Sequence, residues 1–130
     1  MMSKHSKHGT VKVKRVYQPA EAEDGLRVLV DRLWPRGVSK EAAQIDRWLK
    51  DIAPSHELRR DFHGHPERWE EFKRRYAVEL AGQPEAVAEL RKAITEEPVT
   101  LIYASRDEQF NNAIALMEYL DSGSQATVDD

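Results

Sequence analysis

The sequence contains no cysteine. Disulfides, thiolate nucleophiles and Cys-ligated zinc or iron–sulfur centres are therefore excluded. No apolar run approaches the ~20 residues that a membrane-spanning helix needs. Residues 1–9 are polar and basic, with no apolar stretch of the kind a secretory signal carries. These absences lead to the expectation of a cytoplasmic protein with no membrane partner. An excess of one charge is missing too: 20 basic residues stand against 23 acidic ones, interleaved, for a net charge of -3. A general polyanion binder usually shows a basic surplus. There is no Walker loop, no Gly-x-Gly-x-x-Gly and no Gly-x-Ser-x-Gly elbow, and no cofactor is expected.

What is present is enough for one core. The chain has 130 residues, 40% of them hydrophobic, which predicts one compact domain. Its expected extent is residues 10–121, with 1–9 and 122–130 as flexible tails. Val11-Lys12-Val13-Lys14-Arg15-Val16-Tyr17 alternates as a half-buried strand does. Residues 26–33 predict a second strand, whose continuous apolar centre suits a parallel sheet. Ser39 is an N-cap for a helix, and Ile45, Trp48, Leu49 and Ile52 keep helical spacing as far as residue 53. Pro54-Ser55 breaks the chain and caps a short helix to about Phe62. Pro66 then opens a helix with the stripe Trp69, Phe72, Tyr76, Leu80, and Pro84 opens another with Val87, Leu90, Ile94. Residues 99–104 predict a third strand, and Phe110, Ala113, Ile114, Met117 and Leu120 form the stripe of a last helix. The expected fold class is α/β: a small three-layer single domain with a short, mostly parallel sheet flanked by helices.

Chemistry concentrates where strands are predicted to end. Asp31-Arg32-Leu33-Trp34-Pro35-Arg36-Gly37 follows the second strand directly, and ligands of open α/β sheets bind beyond the carboxyl ends of strands. Arg32 and Arg36 offer planar forks suited to phosphate or carboxylate, with Gly37 letting the backbone approach. Equally, Asp31 pairing with an arginine, Trp34 packing in the core, and Pro35 and Gly37 shaping a turn would make the same residues an internal brace. Ser105-Arg106-Asp107, with Asn111 and Asn112, follows the third strand and opens a helix, as an anion site or simply as its cap. Arg59 is placed one helical turn before His63. His63 and His65 lack further ligands at a telling spacing, so no metal site is expected.

The expected ligand-binding residues are Arg32, Trp34, Arg36, Gly37, Arg59, Ser105, Arg106 and Asn111, with Asp31, Asp107 and His63 as acid–base candidates should there be catalysis. The expected ligand is small and anionic, phosphorylated or nucleotide-like. Two alternatives stand beside it. One is a nucleic-acid module using Lys4, Lys7, Lys12, Lys14 and Arg15; the other is a non-catalytic homodimer paired through a sheet edge.

Three blocks of the sequence, residues 28–37, Trp48-Leu49-Lys50-Asp51-Ile52-Ala53-Pro54-Ser55, and Leu101-Ile102-Tyr103-Ala104-Ser105-Arg106-Asp107 with Asn111, resemble the short, YeaO-like branch of the DUF488 family. The resemblance implies an α/β fold and supports the site position; it implies no reaction. Larger relatives carry cysteines near the last strand, where this chain has Tyr103 and the Asn111-Asn112 pair, so no thiol chemistry carries over.

Overall fold

Four parallel strands in the order β1-β4-β2-β3 form the sheet. They are β1 (Val11–Arg15), β2 (Leu26–Leu29), β3 (Arg47–Trp48) and β4 (Val99–Tyr103). The helices are α1 (Lys40–Ala43), α2 (His56–Phe62), α3 (Trp69–Ala81), α4 (Pro84–Glu96) and α5 (Asn112–Asp129), with single 3-10 turns at Ala22–Asp24, Lys50–Ile52 and Pro66–Arg68. This is a computed structural model, which describes residues 11–129 and the side chains of 11–122. The expected tail at 1–9 lies outside the described residues, and α5 continues past Ser122 to Asp129.

β4 is buried along its whole length. It pairs with β1 from Val11↔Val99 to Arg15↔Tyr103, and with β2 from Leu26↔Val99 to Leu29↔Ile102. One face of the sheet presents Val28, Val99, Leu101 and Tyr103 to Phe72, Tyr76 and Leu80 of α3, Leu90 of α4 and Leu116 of α5, in one continuous core. Of the expected stripes, Phe72, Tyr76 and Leu80 of α3 and Val87, Leu90 and Ile94 of α4 are buried, and Trp69 is half-buried. On the other face Leu29 and Ile102 meet Val16, Ala43, Trp34 and Trp48. That third layer consists of connecting segments and the one-turn α1, not long helices.

The other face also holds a buried polar knot. Arg27 Nη1 lies 2.6 Å from Asp24 Oδ2, and Lys14 Nζ lies 3.0 Å from Asp24 Oδ1. Thr100 donates to the Asp24 carbonyl at 2.6 Å. Gly25, at φ 66°, turns the chain from Asp24 into β2; a Cβ there would collide with the Pro98 carbonyl.

Two expected elements change. Residues 44–53 are not helical. Gln44 ends α1 in the left-handed region, Asp46 N–H bonds the Arg27 carbonyl at 2.8 Å, and Arg47-Trp48 add to the sheet beside β2. Pairing with β2 overrides a helical spacing that is locally satisfied. The second strand ends at Leu29, not residue 33, and Leu33 is 71% exposed.

Candidate functional site

The end of β2 is finished by side chains. Val30 N–H still bonds the Ile102 carbonyl at 3.0 Å. The next contact across to β4 is made by a carboxylate: Ala104 N–H donates to Asp31 Oδ2 at 2.9 Å. Asn112, the first residue of α5, donates through Nδ2 to the Val30 carbonyl at 2.9 Å and to Asp31 Oδ1 at 3.1 Å. Trp48 Nε1 donates to the Asp31 carbonyl at 2.7 Å. Asp31 thereby joins β2, β3, β4 and α5 at the carboxyl edge of the sheet. Burial raises its pKa above the ordinary carboxylate value, and the Asn112 and Ala104 hydrogen bonds and the nearby Arg59 guanidinium only partly offset this. The partners of Asp31 are a backbone N–H and an amide, where the sequence reading offered an arginine.

Around this brace the remaining expected residues separate. Trp34 donates Nε1 to the Val38 carbonyl at 2.7 Å and meets Trp48 edge-on, ring centroids 5.5 Å apart. Pro35 is buried. Gly37 takes a φ of 77° with open space where a Cβ would stand, so its conformation, not a close approach, requires glycine. Asn111 is buried and caps α5, accepting from Ile114 N–H at 2.9 Å. Asp107 Oδ1 accepts from the N–H groups of Gln109 and Phe110, both at 2.9 Å. The cap of the last helix is thus Asn111, not Ser105 or Asp107. Ser105 is exposed and its Oγ accepts from Asp107 N–H at 3.2 Å.

Arg36, Arg59 and Arg106 are exposed, and among the described residues none of them hydrogen-bonds or ion-pairs through its side chain. Arg36 is tied in by its backbone, whose carbonyl accepts from Tyr17 Oη at 3.0 Å just past the end of β1. Arg15 spans from β1 to the carbonyl of Ser105, 2.8 Å away, beside Arg106. Arg59 on α2 sits near enough to Asp31 to act on its charge. Arg32 goes elsewhere: Nη2 lies 3.1 Å from the Ala53 carbonyl, in a cleft that contains none of the other three arginines. His63, after α2, is exposed and its side chain has no partner among the described residues. No three His, Cys, Asp or Glu side chains gather among the described residues in a way that could hold a metal ion.

The structural roles of Trp48, Tyr17 and Arg15 were not legible in the sequence. Trp48 carried a helical spacing, and the other two belonged to a strand whose neighbours were unknown. Of the cations on the alternative basic face, Lys14 is bound to Asp24 and Glu21, Lys12 to the Glu23 carbonyl and Arg15 to Ser105. Lys4 and Lys7 lie outside the described residues. No helix among the described residues is long and apolar enough to cross a membrane.

The comparisons with known proteins agree on the family. A family model described as the inactive DUF488-N3 subclade matches residues 10–130. The uncharacterised protein YeaO of Escherichia coli (strain K12) is 42% identical over 112 residues, which cover 86% of this chain and 97% of that protein. The uncharacterised protein Rv3073c of Mycobacterium tuberculosis (strain H37Rv) is 44% identical over 110 residues, covering 85% of this chain and 92% of that one. No solved structure matches the chain.

Proposed function

The chain belongs to the DUF488 family, and we propose that it binds a small anionic ligand, phosphorylated or nucleotide-like, at Arg36, Arg59 and Arg106 beyond the carboxyl ends of the parallel strands. The observation that carries this reading is that these three guanidinium groups are exposed and unpaired among the described residues. Elsewhere buried or half-buried cations such as Lys14, Arg27 and Lys73 are met by carboxylates. Exposed arginines at this edge cost little desolvation and keep their donor forks free for an anion.

Binding without turnover is the better supported form of the proposal. Of the acid–base candidates, Asp31 has both carboxylate oxygens engaged in holding β4 and α5, and Asp107 holds its own turn. The subclade's description as inactive points the same way. The nucleic-acid alternative is less favoured, because Lys12, Lys14 and Arg15 are already bound within the domain.

Thermal denaturation with phosphate, sulfate, nucleotides and sugar phosphates tests the proposal. A ligand that binds only the folded state at a hundred-fold excess over its Kd stabilises by about 2.7 kcal/mol. The expected result is a raised Tm for at least one phosphorylated compound, lost in Arg36→Ala or Arg106→Ala and kept in Arg32→Gln. No shift with any anion would overturn it.

A further inference from the structure

Arg32 and Glu79 carry opposite charges, flank one cleft of about 330 Å³ and make no ion pair with each other. Each is instead held by the same short backbone segment. Arg32 reaches the carbonyl oxygens of Ala53 at 3.1 Å and Pro54 at 3.5 Å. Glu79, near the end of α3, accepts from Ser55 N–H at 2.8 Å and Ser55 Oγ at 2.6 Å. A third charge, Asp51, lines the same cleft; it is exposed and has no hydrogen bond or ion pair among the described residues. Beneath them Tyr76 is buried and donates to the Ile52 carbonyl at 2.6 Å. Val78 lines the cleft at 74% exposure, an apolar side chain left uncovered.

Opposite charges that share a wall, Arg32 exposed and Glu79 half-buried, yet are fixed apart by their bonds to residues 53–55, suit a ligand that carries both charges itself. Arg32 spends few of its five N–H groups on the two carbonyls and keeps the rest for a carboxylate. Asp51 is open to an ammonium group, and the Glu79 oxygens each retain a lone pair. The volume lies at the low end of small-molecule sites, which begin at about 300 Å³. We propose that the cleft formed by Arg32, Asp51, Glu79 and Val78 is a second, separate site that binds a free α-amino acid. The ligand carboxylate lies on Arg32, its ammonium on Asp51 and Glu79, and an apolar side chain on Val78. None of the arginines assigned to the anionic ligand takes part, so either site can exist without the other.

The test is amide NMR titration of the full chain with L-leucine, and in parallel with isopentylamine and 4-methylpentanoate, which are leucine without its carboxylate and without its ammonium. The expected result is saturable shifts at residues 32, 51–53, 55 and 78–83 with leucine at millimolar concentration. Each half-ligand should bind at least about ten-fold more weakly, the order that losing one charge-assisted hydrogen bond produces. Arg32→Gln and Asp51→Asn, both at exposed positions, should each weaken leucine binding by about ten-fold, and Asp51→Asn, which loses no hydrogen bond among the described residues, should leave the melting temperature unchanged. Arg106→Gln should leave it intact. No shift with leucine, equal binding of either half-ligand, or leucine binding indifferent to both substitutions would overturn the proposal.

Discussion

Asp24 and Asp31 are two carboxylates taken out of water beside the same sheet, and what meets each one sets opposite pH behaviour. At Asp24, burial pushes the pKa up, but the Glu21 N–H, Lys14 and Arg27 together hold it below its ordinary value of 3.8. Its stabilising effect is therefore present above 3.8 and lost as pH falls through the lower folded value. Asp24→Asn removes the charge that answers Arg27, which is 3% exposed and already has one guanidinium nitrogen without a partner. Breaking such a buried pair costs about 3–5 kcal/mol, so the urea midpoint at neutral pH should drop sharply and the deficit should shrink in acid. At Asp31 burial prevails and the pKa is raised. The fold favours the protonated form, so this contribution is complete below 3.8 and fades as pH rises through the folded value. In Asp31→Asn the new amide faces either Ala104 N–H or the Asn112 amide with a donor, which costs about 1–3 kcal/mol. That deficit should be larger in acid than at neutral pH, the reverse of Asp24→Asn; urea titrations of both variants at two pH values would show whether the slopes have these signs.

The caps separate local from tertiary information at the level of elements. Ser39 Oγ accepts from Ala42 N–H at 3.0 Å and Ser55 Oγ from Leu58 N–H at 3.1 Å. Both caps were readable because a cap depends on residues three positions apart. Their energetic weight was not readable, since the grip of Glu79 on Ser55 spans two helices. Ser39→Ala, at an exposed one-turn helix, should cost about 0.5 kcal/mol, whereas Ser55→Ala should cost about 2 kcal/mol because it also strips the Oγ–H donor from Glu79 Oε2. Equal shifts in thermal melts would refute the second role. The segment 44–53 shows the limit of local reading. Ile45, Trp48, Leu49 and Ile52 keep a helix's spacing, and only the presence of β2 alongside makes Arg47-Trp48 a strand. The same holds for Asp31. Its place after an apolar run marked the carboxyl edge of the sheet, but Ala104 and Asn112, its partners there, are distant in the chain.

The whole molecule is organised around a strand that arrives late. β4 was recognisable as a buried strand from its unbroken apolar run, but the order β1-β4-β2-β3 was not, because nothing in the spacing of residues says which strand will stand between which others. β1 and β2 make no pairing with each other; each pairs with β4, so Val11 waits for Val99 and Val28 for Leu101. The buried polar knot depends on the same arrival, because the Asp24 carbonyl is met by Thr100. Before β4 is in place, the faces of Val28 and Val13 have α3 and α4 to pack on but no ladder to fix their register. Closure of the sheet therefore spans most of the chain, and such non-local pairing folds slowly. A fragment ending at residue 98 should be unfolded or molten, with amide resonances crowded into the random-coil region and no cooperative urea transition. A dispersed spectrum from that fragment would show that α3 and α4 can organise β1 and β2 unaided, and the central strand would then be an addition to a domain already formed, not its keystone.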